Sequence, residues 1–201
     1  MYTAFVVRPG ETDFDRDQRI QGALDLPLNA AGWKQVNQVI EQLRSEEVDV
    51  VYTSPSQPAR ATAELIADAL DISVKELPGL ANMNQGLWQG MLMSDLKRKH
   101  PRVFKQWADS PESVCPPSGE TCEAVVRRVE KALRRPMKRG GRFAVVASDP
   151  IAQLAGSILA GSTDRNPGPP AGSTRVGSCE AIETQDTEIP SIFDSTDLIG
   201  Y

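Results

Sequence analysis

Few residues in this sequence could do acid–base or nucleophilic chemistry near neutral pH. Of 201 residues one is histidine, His100, and imidazole is the side chain whose ordinary pKa lies close to neutrality. Any mechanism that needs two imidazoles is therefore excluded. His100 itself stands in KRKHPRVFKQW, beside Pro101 and among lysines, the composition of a solvated helix end. Cys115, Cys122 and Cys179 are odd in number and show no CxxC spacing, so neither a disulfide framework nor a zinc site is indicated. What remains is three short polar segments: RPGET from Arg8, TSPSQP from Thr53 and ASDP from Ala147. Arg8 is a fixed cation suited to oxyanions. Asp149 is a carboxylate of the kind that forms acyl phosphates in other enzymes. That chemistry normally needs Mg²⁺ held by neighbouring carboxylates, and no DxD-type cluster is near Asp149.

The positions of these segments depend on the elements around them. TAFVV is a short apolar, β-branched run ended by Pro9-Gly10, which reads as a buried strand entering a loop. Asn29 then precedes a segment in which Trp33, Val36, Val39, Ile40 and Leu43 recur at helical spacing,. VDVVYTS is a second strand, and ARATAELIADALD is a second helix with Pro55 and Pro58 in or just before its first turn,. ISVKEL is a third strand, and residues 94–107 form helical pieces broken at Pro101. A basic helix is predicted from about Ser118 to Arg135, then the strand RFAVVAS and the apolar helix IAQLAGSILAG. This alternation predicts an α/β protein, a three-layer α/β/α sandwich around a mostly parallel sheet. Such folds bind ligands beyond the carboxyl ends of their strands, where all three polar segments fall. The Pro- and Gly-rich stretch after Gly161 reads as a loop, and STRVGSCEAIET as an edge strand with Val176 and Ile182 as its strongest apolar positions,. Residues 1–185 then make one domain, and residues 186–201 an acidic, partly ordered tail.

Composition sets the outer bounds. At 40% hydrophobic and 24% charged residues, the chain has enough apolar side chains to bury a core, which excludes disorder throughout and collagen-like repetition. No apolar run approaches the ~20 residues of a spanning helix, and MYTAFVVRPGE lacks the order of a secretory signal. No membrane association and a cytoplasmic location are expected. Residues 162–201 hold two of the 22 basic and seven of the 27 acidic residues, so the net charge of −5 belongs to that part and residues 1–161 balance at 20 against 20. The stretch RRVEKALRRPMKRGGR from Arg127 is strongly basic. With Val125, Val126, Val129 and Leu133 at helical spacing, its arginines read as the solvated face of an amphipathic helix. No interleaved aromatic platform accompanies them, so no nucleic-acid partner is expected. Trp33 and Trp88 read as packing residues.

Taken in order, the segments resemble the histidine phosphatase superfamily, in its phosphoglycerate mutase-like branch, over nearly the full length. VVRPGET looks like the family's strand-end arginine-histidine-glycine motif, and RIQGALDLPLNAAG like its arginine-x-glutamine-glycine segment. VYTSPSQPARATAELIA is similar to its serine-rich loop and threonine-alanine-glutamate helix. GLANMNQGLWQGM resembles its glutamate-bearing glycine-x-tryptophan-x-glycine stretch, PPSGET its later loop, and FAVVASDP its last catalytic strand end. Six such motifs in order are far more specific than any one alone.

The resemblance implies a phosphoryl-transfer site. In that family the first motif's histidine attacks phosphorus, two arginines and a second histidine bind the phosphoryl oxygens, and a carboxylic acid protonates the leaving group. Carried onto this sequence, the first arginine is Arg8, followed by Gly10 and Thr12. The nucleophile position is Pro9, which has neither a nucleophilic lone pair nor a backbone N–H. The second arginine falls on Pro58, with Arg60 two residues further along. The acid falls on Asn82, which cannot donate a proton as an acid, and the second histidine falls on Asp149. The expectation is a catalytically inactive histidine phosphatase-like protein, a pseudophosphatase with a binding, regulatory or scaffolding role. No catalytic residues are expected at Pro9, Pro58, Asn82 or Asp149, and no cofactor or metal. The rivals are an active phosphomonoesterase or mutase with relocated chemistry, and an anion or sugar-phosphate sensor using Arg8. Ligand contacts are expected from Arg8, Gly10, Thr12, Arg60 and Asp149, toward a small anionic ligand or a protein partner. Arg8 and Asp149 on neighbouring strand ends would also form an Arg–carboxylate pair that closes the phosphate site from within.

Overall fold

The computed structural model describes residues 1–165 and 176–184. The acidic tail expected over 186–201, and most of the Pro- and Gly-rich loop before Val176, lie outside the described residues. Strands β1 (Tyr2–Val7), β2 (Val50–Thr53), β3 (Ser73–Glu76), β4 (Gly141–Val146) and β5 (Cys179–Thr184) form one sheet in the order β3-β2-β4-β1-β5. The first four are parallel, with Val7 opposite Val146 and Thr53 opposite Val146 on its other side. β5 lies antiparallel along β1 at the edge.

β1, β2 and β4 read as largely unbroken apolar runs because both faces are covered, whereas the edge strands β3 and β5 carry charged residues,. Alternate residues of β1 and β4 divide between two cores. Ala4, Val6, Phe143 and Val145 pack under helices α6 (Cys122–Arg139) and α7 (Ile151–Leu159). Phe5, Val7, Ala144 and Val146 pack under α2 (Ala30–Leu43) and α3 (Gln57–Leu70). A smaller cluster joins Ile20 and Trp88 to Leu96, Trp107 and Val114, which come from α4 (Met93–Lys99), α5 (Pro101–Asp109) and the turn after it. The short helix α1 (Asp13–Arg16) follows β1 directly. His100 is exposed at the junction of α4 and α5, as its neighbours suggested. No helix among the described residues is long and apolar enough to cross a membrane.

Four local expectations are corrected. α6 begins at Cys122 rather than Ser118, because Thr121 takes the cap, its side chain accepting from the Ala124 N–H. Residues 117–120 are instead drawn into backbone bonds with the loop at Asn84 and Leu87. At its other end α6 runs through Pro136 to Arg139, where Pro136 costs one N–H close to the terminus and its own carbonyl still accepts from Gly140,. Trp33 is 47% exposed, since Gly32 rather than Trp33 occupies the buried stripe of α2. Val176 sits in a turn, and the edge strand starts only at Cys179.

Candidate functional site

Each polar segment follows directly from a parallel strand, so all three emerge at the carboxyl edge of the sheet. Arg8 leaves β1, Ser54 leaves β2, and Ser148 and Asp149 leave β4. β1 and β4 are hydrogen-bonded neighbours, which brings the first and last of these segments together. A turn at Gly177-Ser178 fastens the edge: the Arg8 N–H donates to the Ser178 carbonyl at 2.9 Å and the Gly177 N–H to the Pro9 carbonyl at 2.7 Å.

Gly10 and Gly32 allow the loop after β1 to lie on the start of α2. A Cβ on Gly10 would stand 2.3 Å from the Gly32 carbonyl oxygen, and one on Gly32 would stand 2.3 Å from the Glu11 carbonyl oxygen. Asn29 caps α2, its side chain accepting from the Gly32 N–H at 2.9 Å. The chain then enters α1 through a reciprocal cap. The Thr12 N–H and hydroxyl donate to the Asp15 carboxylate at 2.8 and 2.7 Å, and the Asp15 N–H donates back to Thr12 Oγ1,.

A pocket opens over this edge. It is lined by Arg8, Pro9, Gly10 and Thr12 from β1 onward, by Pro58 from α3, by Asn82 and Gln85, and by Ser148 and Asp149. Its volume is about 40 Å³, room for few atoms beside the 300–1,000 Å³ typical of small-molecule sites. Arg8 is 3% exposed and its Nε donates to both Asp149 oxygens, at 3.0 and 2.9 Å. Its Nη1 stands 3.8 Å from Glu180 on β5. Among the described residues, the titratable ones lining the pocket are Arg8, Arg19, Asp15 and Asp149, two cations against two carboxylates. Burial pushes the Asp15 carboxyl up from its ordinary value; the Thr12 hydrogen bonds oppose this, while the charges of Glu11 and Asp149 add to it.

Four of the five expected ligand contacts line the pocket: Arg8, Gly10, Thr12 and Asp149. Arg60 does not. Two residues beyond Pro58 is rather more than half a helical turn, and Arg60 is exposed, 3.9 Å from Asp25. Pro58 and Asn82 stand at the pocket where the resemblance put the second arginine and the acid.

Arg19, Asp15 and Gln85 also line the pocket, without a role in the sequence reading. Arg19 donates to the Gly90 carbonyl at 2.8 Å; its place at the head of the RIQG segment was the available signal. Asp15 was legible as the third residue after a threonine cap. Gln85 is 1% exposed, and both polar atoms of its side chain lack a hydrogen-bond partner, as does Asn82 Oδ1. Nothing in the sequence marks Gln85. Arg128, expected on the solvated face of α6, is turned inward instead. It bonds to Glu120 at 2.7 and 2.9 Å and donates to the carbonyls of Gly79 and Ala81, fixing the loop that carries Asn82. Among the described residues no cluster of three or more His, Cys, Asp or Glu side chains could hold a metal ion.

The family model for the histidine phosphatase superfamily (branch 1) matches residues 4–166. The chain belongs to that superfamily. A phosphoserine phosphatase 1 of Hydrogenobacter thermophilus is 32% identical over 146 residues, which are 73% of this chain and 69% of that protein. A probable phosphoglycerate mutase GpmB of Yersinia enterocolitica is 32% identical over 133 residues, 66% of this chain and 62% of the relative. Among solved structures, a mycobacterial glucosyl-3-phosphoglycerate phosphatase in complex with VO3 aligns with a TM-score of 0.79 at 20% identity, covering 90% of each chain. Bacillus stearothermophilus YhfR gives 0.78 at 23% identity, covering 92% of this chain and 93% of its own. At such identities the likeness is one of fold. The mixed α/β architecture with its mostly parallel five-stranded sheet is that of the superfamily.

Proposed function

We propose that this chain is a histidine phosphatase-like protein without phosphoryl-transfer activity, retained for binding, regulation or scaffolding. The observation that carries the reading is the pairing of Arg8 with Asp149, the residues at the positions of the family's first phosphate-binding arginine and second histidine. A transferring phosphoryl group needs positive groups directed at its equatorial oxygens. Here the arginine at that position is already held by an internal carboxylate, and the charges of the described residues lining the pocket balance.

Pro9 offers no nucleophile, Pro58 no guanidinium and Asn82 no acid. Loss of a nucleophile alone costs about a millionfold in an unrelated hydrolase, and here a phosphate clamp and the acid are replaced as well. Catalysis through Asp149 would require a carboxylate free to attack, whereas this one is engaged by Arg8.

The test is turnover of phosphoserine and of a generic phosphate ester, with and without Mg²⁺, by the protein and its Pro9→His variant. No turnover by the unmodified protein is expected. Turnover that disappears in Asp149→Ala would overturn the proposal in favour of relocated chemistry. Raised thermal stability in millimolar phosphate, lost in Arg8→Ala, would favour an anion sensor, since a ligand that prefers the native state stabilises it by mass action.

A further inference from the structure

A second concave surface lies beside the carboxyl-terminal turns of α6. α6 ends at Arg139 and leads directly into β4 at Gly141, so its carboxyl end lies at the amino ends of the strands, away from the Arg8 pocket. Tyr52 and Lys75 are register partners in β2 and β3, and their side chains therefore leave the sheet on one side. That side is covered by α6, whose Val129 and Leu133 share a core with Tyr52. Between the helix and the two strands runs an open groove of about 520 Å³, lined by Tyr52, Lys75, Arg134, Arg135, Lys138 and Arg139. Among the described residues five of these six are cations and none is a carboxylate; Arg134 already has a partner, which leaves Lys75, Arg135, Lys138 and Arg139 to carry the argument.

The helix alone does not account for this arrangement. Cations in a last turn interact favourably with the helix dipole, which covers Lys138 and Arg139, but the effect fades within that turn. Arg134 and Arg135 lie one turn earlier, and Lys75 comes from a strand. Like charges spaced i,i+4, as in Arg134 with Lys138 and Arg135 with Arg139, oppose helix stability.

We propose that this groove binds a linked polyphosphate, a ligand with two or more phosphate groups in one chain. Guanidinium forks match phosphate oxygens in geometry and charge. The helix cations repeat one turn apart, about 5.4 Å along the axis, a span that one chain of linked phosphates covers and a single orthophosphate does not. The groove volume falls within the usual 300–1,000 Å³ of ligand sites, far more than a single orthophosphate fills. Tyr52 is 3% exposed and offers no face on which bases could stack, which disfavours single-stranded nucleic acid.

The experiment is calorimetric titration with inorganic tripolyphosphate at low ionic strength, repeated with ATP, orthophosphate and a single-stranded oligonucleotide. Saturable binding of tripolyphosphate is expected, about tenfold or more tighter than orthophosphate and weakened by salt. Equal affinity for ATP identifies the phosphate chain as the recognised group; tighter binding of ATP identifies a nucleotide as the source. The double variant Arg135→Ala/Arg139→Ala should lose about tenfold or more in affinity. A control, Arg98→Ala/Arg127→Ala, removes two exposed arginines that line no part of the groove and should bind as the unmodified protein does. Absence of saturable binding, equal losses in both double variants, or tighter binding of the oligonucleotide would each overturn the proposal. Failure here leaves the reading of the Arg8 pocket untouched, because no residue is shared.

Discussion

Arg8 and Asp149, 141 positions apart in sequence, meet across the ends of two adjacent parallel strands, with Arg8 Nε 2.9 and 3.0 Å from the carboxylate oxygens. Breaking a buried pair by removing one partner typically costs 3–5 kcal/mol, because the other charge is left uncompensated. Asp149 is 15% exposed, and Glu180 stands 3.8 Å from the Arg8 guanidinium, so Asp149→Ala should cost less, about 2 kcal/mol in urea unfolding. The variant also exposes a buried cation to the pocket. Millimolar phosphate should therefore raise the stability of Asp149→Ala and leave the unmodified protein unchanged. An equal gain in both proteins would show that Asp149 does not occupy the anion position.

Asp15 gives a pH dependence of defined sign. Its carboxyl titrates above the ordinary value because it is buried, beside Glu11 and Asp149, with the Thr12 hydrogen bonds pulling the other way. The folded state thus holds that proton more tightly than the unfolded state. Asp15 then favours folding most below the ordinary carboxylate range, and this contribution is lost as pH rises through the folded-state value. Asp15→Asn, which can still accept from Thr12, removes this dependence. Between about pH 4 and pH 7, the stability of Asp15→Asn relative to the parent should rise with pH. Parallel profiles would mean that the Thr12 bonds cancel the effect of burial,.

β1, β2 and β4 were legible because strands covered on both faces need unbroken apolar runs,, and the carboxyl-edge location of Arg8 and Asp149 follows from their alternation with helices. Their meeting needed one more fact, that β1 and β4 are neighbours, which the resemblance supplied. The placements of Arg60 and Trp33 failed for a common reason. A helix turns by about 100° per residue, so one or two positions decide between pocket, core and solvent, and sequence spacing alone fixes the stripe no better than that. Arg128 and Gln85 were illegible for a different reason: their partners, or lack of them, come from loops distant in sequence. A basic helix looks the same whether one of its arginines is hydrated or holds three carbonyls of another segment.

Arg128 acts as a clamp. Its guanidinium joins Glu120 to the carbonyls of Gly79, Ala81 and Asn82, and a planar five-donor fork has no equivalent in lysine. Arg128→Lys retains the charge and loses most of these bonds, and should cost about 1–3 kcal/mol, since buried acceptors left unpaired are penalised. Arg127→Ala, one position away with an exposed i,i+4 partner in Glu123, should change stability by about 0.5 kcal/mol or less. Equal effects at the two positions would show that the loop bearing Asn82 is held without Arg128.

The three thiols should separate by reactivity. The thiolate is the reactive form. Burial raises the Cys179 pKa to about 11, with the charges of Glu46 and Glu180 adding to it. Burial likewise raises that of Cys122, which lies inside the core beside Val125 and Val129. Cys115 is exposed. At about pH 8 the thiolate fraction of Cys179 is on the order of one in a thousand, and the reagent must also reach it along β5. With iodoacetamide under native conditions, one equivalent should react promptly and map to Cys115, and the other two should follow only on unfolding. Cys179 sits opposite Val7 in the β1–β5 ladder, one residue before Arg8, so its protection also reports whether the edge strand stays paired beside the pocket. Prompt alkylation of Cys179 would show that β5 opens readily and that the Glu180 contact to Arg8 is lost with it.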